Sequence, residues 1–186
     1  FLFTAKFPIH DSDHEYSRTL PDVLINHRVL VVDDGPDSRM ILHEMIEALG
    51  LTCEEVKSGR EAVERLIGAA KNNQPFNLVF MDWRMPEMDG IETIRELQAN
   101  NSIYPQPKVI MVTAYGRQEI FDQAGEMGLS GILLKPVTPS ILFDSIMGAF
   151  GHATEPNKKH RIHLTDHALE ATQLIRGARI LLVEDN

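Results

Sequence analysis

The sequence RVLVVDD, residues 28–34, is a short apolar run that ends in two adjacent carboxylates. Three further apolar runs, at 76–81, 108–112 and 131–134, also end where polar residues begin. A fifth strand is predicted around Cys53, and helical patterns separate the five strands. Because strands and helices alternate at this spacing, the sequence predicts an α/β fold. The predicted sheet is doubly wound, parallel and five-stranded, and ligands bind such sheets beyond the carboxyl ends of the strands.

Five helices are predicted between and after these strands. Pro36 can occupy the first turn of the first helix, and Gly50 suits its end. The predicted helices span residues 36–49, 59–70, 91–99, 117–127 and 139–150. The last helix carries many apolar residues, a pattern that serves either a dimer contact or the protein core.

The amino-acid composition excludes several classes of protein. The chain has 186 residues, of which 43% are hydrophobic, enough for one domain with flanking pieces. No apolar run approaches the roughly 20 residues needed to cross a bilayer, and no signal peptide opens the chain, so we expect a cytoplasmic segment without membrane contact. The single cysteine, Cys53, excludes a disulfide framework and a thiolate zinc site. Residues 28–150 hold 18 acidic and 11 basic residues, which argues against nucleic-acid binding.

Polar residues at the ends of the predicted strands form a candidate site, which comprises Asp33, Asp34, Asp82, Thr113 and Lys135. Three carboxylates close together repel one another, which raises at least one pKa. A hard divalent cation removes this conflict, because Mg²⁺ or Mn²⁺ prefers oxygen ligands and commonly bridges to phosphate. Lys135 supplies a positive charge and Thr113 a hydroxyl donor, so Asp82 is the natural nucleophile toward phosphorus.

Each of these residues has an ordinary structural explanation when it is taken alone. Asp34 suits a helix cap near Pro36, Thr113 suits a strand end, and a lone lysine is usually solvated. The joint site is favoured because all members stand in order, each at a predicted boundary between strand and loop.

Four motifs make a specific resemblance. They are VVDD (31–34), MDWRMPEMDG (81–90), VTA (112–114) and LKP (134–136). In this order they resemble the receiver domains of two-component response regulators and hybrid histidine kinases. The resemblance covers residues 28–150 and implies the flavodoxin-like (βα)5 receiver fold. It also implies a phosphorelay function, in which a phosphoryl group passes from phosphohistidine onto aspartate and switches the conformation of the domain.

The resemblance assigns roles to the acidic residues. Asp82 is implied to be the phosphoacceptor. Asp34, Asp82 and the backbone carbonyl of Arg84 are implied to ligate Mg²⁺, and Asp33 is implied to assist through water. The phosphodonor is implied to be the dimerisation and phosphotransfer domain of a histidine kinase.

Thr113 and Lys135 are implied to bind the phosphoryl oxygens and to move toward them. This movement would remodel the face formed by the fourth helix, the fifth strand and the fifth helix. The position three residues before Lys135 is usually aromatic in the family, but here it is Ile132. An aliphatic side chain cannot provide the rotamer switch of an aromatic ring, so the sequence predicts a weaker readout or a different output face.

The flanking sequences suggest a larger protein. Residues 1–27 are expected to hold the end of a preceding kinase ATPase domain and a linker, and residues 151–177 a second linker. RILLVED, at 179–185, repeats RVLVVDD position for position, so residues 178–186 are expected to begin a second receiver domain. This organisation resembles a membrane-anchored hybrid sensor kinase with tandem receivers, although the segment itself contains no kinase nucleotide-binding motif.

Two alternative functions are also compatible with an aspartate that follows a parallel strand. A phosphatase of the haloacid-dehalogenase type needs a second aspartate two residues after the nucleophile, where this chain has Arg84, so it is disfavoured. A regulatory receiver that binds protein partners without phosphate is the remaining alternative, but such domains commonly lose an acid or the lysine. None of these residues is missing here.

Overall fold

A computed structural model describes residues 19–100, 102–114 and 127–152. Its five strands are β1 Arg28–Val32, β2 Thr52–Val56, β3 Leu78–Asp82, β4 Lys108–Thr113 and β5 Gly131–Leu134. Its described helices are α1 Asp22–Ile25, α2 Pro36–Ala48, α3 Gly59–Lys71, α4 Gly90–Ala99 and α5 Pro139–Ala149. The strands form one parallel sheet in the order β2-β1-β3-β4-β5. The predicted doubly wound fold is therefore confirmed.

Most predicted element boundaries agree with the structure to within one residue. The largest difference is at β3, which begins at Leu78 instead of residue 76, because Phe76 packs in the core just before the strand pairing starts. The predicted helix 117–127 lies outside the described residues, except for Met127. The expected kinase remnant at residues 1–7 and the expected second receiver at 178–186 also lie outside them.

Two apolar clusters cover the two faces of the sheet, because successive side chains of a strand point to opposite faces. One face of β1 contributes Leu30 and Val32 to the cluster beneath α3 and α4. The other face contributes Val29 and Val31 to the cluster beneath α2 and α5. None of the described helices combines the length and apolar character that a membrane span requires.

The helix α1 is an addition to the predicted fold. Leu20 and Leu24 are 5% and 2% exposed and belong to the cluster beneath α2 and α5. His27 makes an edge-to-face ring contact with Phe150, with the ring centroids 4.7 Å apart. The packed region therefore begins ahead of the predicted domain start at Arg28.

An ion-pair cluster ties the edge strand β2 to its surroundings. Glu54 accepts a hydrogen bond of 2.7 Å from Nε of Arg65 and also pairs with Arg28. Burial alone raises the pKa of Glu54, but the hydrogen bonds from Arg65 and Arg28 outweigh it and hold the pKa below its ordinary value. The ionised carboxylate therefore stabilises the folded state at neutral pH, and this contribution disappears as the pH falls through the lowered pKa.

We expect Glu54→Gln to lower the free energy of unfolding by about 1 kcal/mol at pH 7. The difference from the wild type should shrink as the pH falls from the ordinary value of 4.5 through the lowered pKa, because the unfolded chain binds the proton first and the folded carboxylate loses its charge last. Urea denaturation at a series of pH values measures this difference in the free energy of unfolding. Glu64→Gln, at an exposed glutamate, is the matched control. A deficit that stays constant with pH would contradict the ion-pair explanation.

Candidate functional site

Four of the five predicted site residues lie at the ends of neighbouring strands. Asp82 and Thr113 are the last residues of β3 and β4, while Asp33 and Lys135 directly follow β1 and β5. Because all five strands run in the same direction, these residues meet at one edge of the sheet. Asp34 continues the chain from Asp33 into the same loop.

The three carboxylates form the acidic cluster that the sequence predicts. Ligand oxygens of Asp33, Asp34 and Asp82 all lie within 4.8 Å of one another. Asp33 and Asp82 are only 2% and 7% exposed, whereas Asp34 is exposed to solvent. Two buried acids and one exposed acid therefore border a shared space that solvent can reach from one side.

Lys135 connects the two buried acids. Its Nζ lies 2.7 Å from Oδ2 of Asp33 and 2.8 Å from Oδ1 of Asp82. The other oxygen of Asp33, Oδ1, accepts a hydrogen bond of 2.8 Å from the backbone N–H of Gly35. Both oxygens of Asp33 therefore have protein partners, and the ammonium group is held directly beside Asp82.

The protonation states follow from this geometry. Burial raises the pKa of the Asp82 carboxyl, and the charges of Asp33 and Asp34 raise it further, while Lys135 lowers it without cancelling the effect. For Lys135, burial acts to lower the pKa, but the hydrogen bonds and charges of Asp33 and Asp82 outweigh it and raise the pKa. Lys135 is therefore a cation at neutral pH, and Asp82 is a more basic carboxylate than a free one.

The cluster fits a hard divalent cation by the chemistry of its donors. Its three side chains offer only carboxylate oxygens, the ligand type that Mg²⁺ and Mn²⁺ prefer. Arg84 lies two residues beyond Asp82, and its guanidinium carbon is 5.0 Å from the ring centroid of Trp83. The backbone carbonyl of Arg84 as a further oxygen ligand stays a prediction.

Comparison with protein families identifies this arrangement. The family described as "Response regulator receiver domain" matches residues 29–147, which is more than half of the chain. The chain belongs to the response regulator receiver family. Receiver domains accept a phosphoryl group in two-component signalling, and they take it from histidine kinases or phosphotransfer proteins. They generally bind Mg²⁺ at an acidic pocket like the cluster described above.

Individual relatives agree with this assignment. The receiver is 37% identical over 120 residues to chemotaxis protein CheY of Thermotoga maritima, covering 64% of this chain and 93% of that protein. It is 33% identical over 148 residues to transcriptional regulatory protein ZraR of Escherichia coli, covering 80% of this chain but only 30% of ZraR. It is also similar to the solved receiver domain of the histidine kinase CKI1 from Arabidopsis thaliana, at 28% identity and a TM-score of 0.60. That match covers 67% of this chain and 90% of the CKI1 domain.

The two residues predicted to respond to phosphate are held close together in the receiver. The backbone N–H of Lys135 donates a hydrogen bond of 2.7 Å to the carbonyl of Thr113. Thr113 is 1% exposed, and the peptide bond between Lys135 and Pro136 is cis. Ile132 pairs with Met111 across the β4–β5 ladder and packs against the cluster beneath α3 and α4. The weaker readout or different output face expected from this aliphatic side chain stays a prediction.

Two residues important for the geometry of the receiver site were missed by sequence reasoning. Gly90 starts α4, and a Cβ atom there would lie 2.3 Å from the backbone oxygen of Asp82. Arg39, on α2, donates a hydrogen bond of 2.7 Å from Nη1 to the backbone oxygen of Asp33. Gly90 is visible in the MDWRMPEMDG motif as its last residue, but only the structure shows why a side chain is excluded there.

Proposed function

We propose that Asp82 is the phosphoacceptor of this receiver domain and that it takes its phosphoryl group from a phosphohistidine. The observation that carries the proposal is the environment of its carboxylate. Asp82 is buried, lies within 4.8 Å of two further acids and contacts the ammonium group of Lys135 at 2.8 Å. This combination supplies a nucleophile, the oxygen ligands for a cation and a positive charge at one place.

The proposed step is a transfer between two nucleophiles. A bond forms between a carboxylate oxygen of Asp82 and phosphorus, while the bond between phosphorus and the donor imidazole nitrogen breaks. The electron pair of the broken bond goes to the imidazole, and the product on the receiver is an acyl phosphate. Burial raises the pKa of the Asp82 carboxyl in the metal-free site, and a bound cation would hold this carboxyl in the ionised form that attacks phosphorus.

The proposed ligands of the cation are Asp34, Asp82 and the backbone carbonyl of Arg84, with Asp33 assisting through water. Bound Mg²⁺, or Mn²⁺, would neutralise the oxygen charge that develops on the phosphoryl group. The solved receiver domain of CKI1 was crystallised with Mg²⁺ and BeF₃⁻, which supports the same use of the acidic cluster here.

Lys135 and Thr113 are proposed to bind the phosphoryl oxygens after the transfer. Lys135 pairs with Asp82 in the structure. A phosphoryl group on Asp82 would therefore offer the ammonium group of Lys135 new oxygen partners nearby. The hydroxyl of Thr113, at the end of the next strand, is the proposed second donor. The proposed output is a change at the face that contains β5 and α5.

We further propose that this domain belongs to a hybrid histidine kinase and works in the cytoplasm. The repeat of RVLVVDD as RILLVED at 179–185 supports a second receiver in the same protein. The phosphodonor would then be the dimerisation and phosphotransfer domain of a histidine kinase, and the second receiver would be a further partner.

The test is labelling of the purified chain with acetyl phosphate, with and without Mg²⁺, followed by intact-mass measurement. We expect an increase equal to one phosphoryl group only when Mg²⁺ is present. The adduct should be removed by hydroxylamine, because acyl phosphates react with it and phosphate esters of serine or threonine do not. If neither acetyl phosphate nor a phosphohistidine protein labels the Mg²⁺-bound chain, the domain is a regulatory receiver that works without phosphate.

A further inference from the structure

We propose that Arg39 and Glu55 are positioning residues that hold the backbone of the acidic loop in the geometry needed to bind the cation. Neither residue belongs to the motifs that carry the family resemblance. The inference rests on the proposed cation site of Asp33, Asp34 and Asp82. It adds that two residues outside the cluster determine the affinity of this site.

Arg39 bridges two parts of the fold. Its Nη1 donates a hydrogen bond of 2.7 Å to the backbone oxygen of Asp33, and its Nε lies 3.3 Å from Oε2 of Glu55. The Arg39 side chain is only 17% exposed, so its guanidinium group is largely withdrawn from water. Because a guanidinium is planar and its donors are fixed relative to one another, the contact with Glu55 orients the N–H group that contacts Asp33.

The edge strand β2 also holds the backbone of Asp33 directly, through its N–H group. The N–H of Asp33 donates a hydrogen bond of 3.3 Å to the carbonyl of Val56, which follows Glu55 in β2. The N–H and the carbonyl of Asp33 are therefore both tied to this edge of the sheet, the first directly and the second through Arg39. Asp34 follows immediately, so these contacts set the position of two cluster carboxylates.

Glu55 also lies close to a second residue of α2. Nδ1 of His43 lies 3.3 Å from Oε1 of Glu55, and Nε2 of the same ring lies 3.2 Å from Oε1 of Glu47. The carboxylate of Glu55 thus lies between Arg39 and His43, both on α2. Nδ1 of His43 is buried and makes no hydrogen bond, so the charged partner of the exposed Glu55 carboxylate at this point is Arg39.

Positioning and simple electrostatics predict opposite effects of removing Arg39. An arginine near an acidic cluster repels an incoming cation, so loss of its charge alone would tighten Mg²⁺ binding. Loss of the hydrogen bond to Asp33 instead releases the loop, so the carboxylates must be ordered when the cation binds. The sign of the change in affinity therefore separates the two explanations.

The experiment measures Mg²⁺ affinity at constant ionic strength. The fluorescence of Trp83 is a suitable signal, because it is the only tryptophan of the chain and is adjacent to Asp82. We expect Arg39→Ala to raise the dissociation constant about 10-fold, in the range typical for partners that orient metal ligands. Glu55→Gln should raise it by less, and the double variant should resemble Arg39→Ala, because both residues act through one contact.

Arg65→Ala is the matched control. It also removes an arginine that joins a helix to a glutamate of β2, but the hydrogen bonds of this arginine go to Glu54 and not to the acidic loop. We expect it to lower the free energy of unfolding and to leave the dissociation constant for Mg²⁺ unchanged. If Arg39→Ala also lowers the stability and leaves the dissociation constant for Mg²⁺ unchanged, the role of Arg39 is purely structural and the inference is overturned.

The possible results also separate this inference from the proposed function. Absence of Mg²⁺ binding to the wild type would refute the proposed cation site itself. If the wild type binds Mg²⁺ but Arg39→Ala binds it equally well or more tightly, the cation site stands and the positioning role of Arg39 is refuted. Urea denaturation of each variant verifies that the affinities refer to folded protein.

Discussion

Replacing Asp82 by asparagine is expected to abolish phosphorylation by acetyl phosphate at every Mg²⁺ concentration. An amide oxygen is a far poorer nucleophile than a carboxylate, and neither Asp33 nor Asp34 can replace it. Both oxygens of Asp33 already accept hydrogen bonds, from Gly35 and Lys135. Asp34 is solvent-exposed and is proposed as a ligand of the cation. Intact-mass measurement of the variant should therefore show only the unmodified chain.

The loss of labelling should not result from unfolding. The raised pKa of Asp82 means that its charged form is disfavoured in the folded state, so the ionised group lowers stability above its ordinary pKa. A neutral amide removes this cost at pH 7, and urea denaturation should show a folded variant. Asp37→Asn, in the first turn of α2, is the control and should be labelled like the wild type. Labelling of Asp82→Asn at the wild-type rate would place the acceptor elsewhere.

Gly90→Ala is expected to lower the free energy of unfolding by about 3 kcal/mol, the effect of forcing an extra carbon into a filled space. The added Cβ would lie 2.3 Å from the backbone oxygen of Asp82 and 3.0 Å from Cγ of Met81. The backbone oxygen cannot move aside without shifting the end of β3. Urea denaturation measures the stability, and Mg²⁺ affinity should fall together with it.

Gly68→Ala is the control substitution and is expected to raise the free energy of unfolding instead of lowering it. Gly68 lies inside α3, and a Cβ there would meet no heavy atom within 4 Å. Alanine is the better helix former, so this variant should gain about 1 kcal/mol of stability and keep its Mg²⁺ affinity. Equal effects of the two substitutions would show that contact with Asp82 is not what requires glycine at position 90.

Much of the fold could be predicted because each strand carries its own signal. Short apolar runs that end in polar residues located β1, β4 and β5 to within one residue, and Pro36 and Gly50 located the two ends of α2. The acidic cluster followed from the parallel direction of the strands, without any knowledge of side-chain geometry. Its members do come together in the structure.

Other features could not be predicted because their signals are too short or depend on three-dimensional contacts. Leu20 precedes the four-residue helix α1 and Leu24 lies within it, and two apolar residues are too few for a recognisable period. The contact from Arg39 to Asp33 joins a side chain to a backbone atom, and no residue pattern encodes such a contact. The space that excludes a side chain at Gly90 depends on the path of the chain after β3.

The hydrogen bond between the N–H of Lys135 and the carbonyl of Thr113 has a mechanical consequence. It joins the last residue of β4 to the loop after β5 through their backbones, at the end of the regular β-ladder between these strands. A displacement of Lys135 is therefore expected to move Thr113 directly through this backbone hydrogen bond, without a series of side-chain rearrangements. Thr113 and the loop after β5 are expected to move together, and they pivot about the end of the β4–β5 ladder.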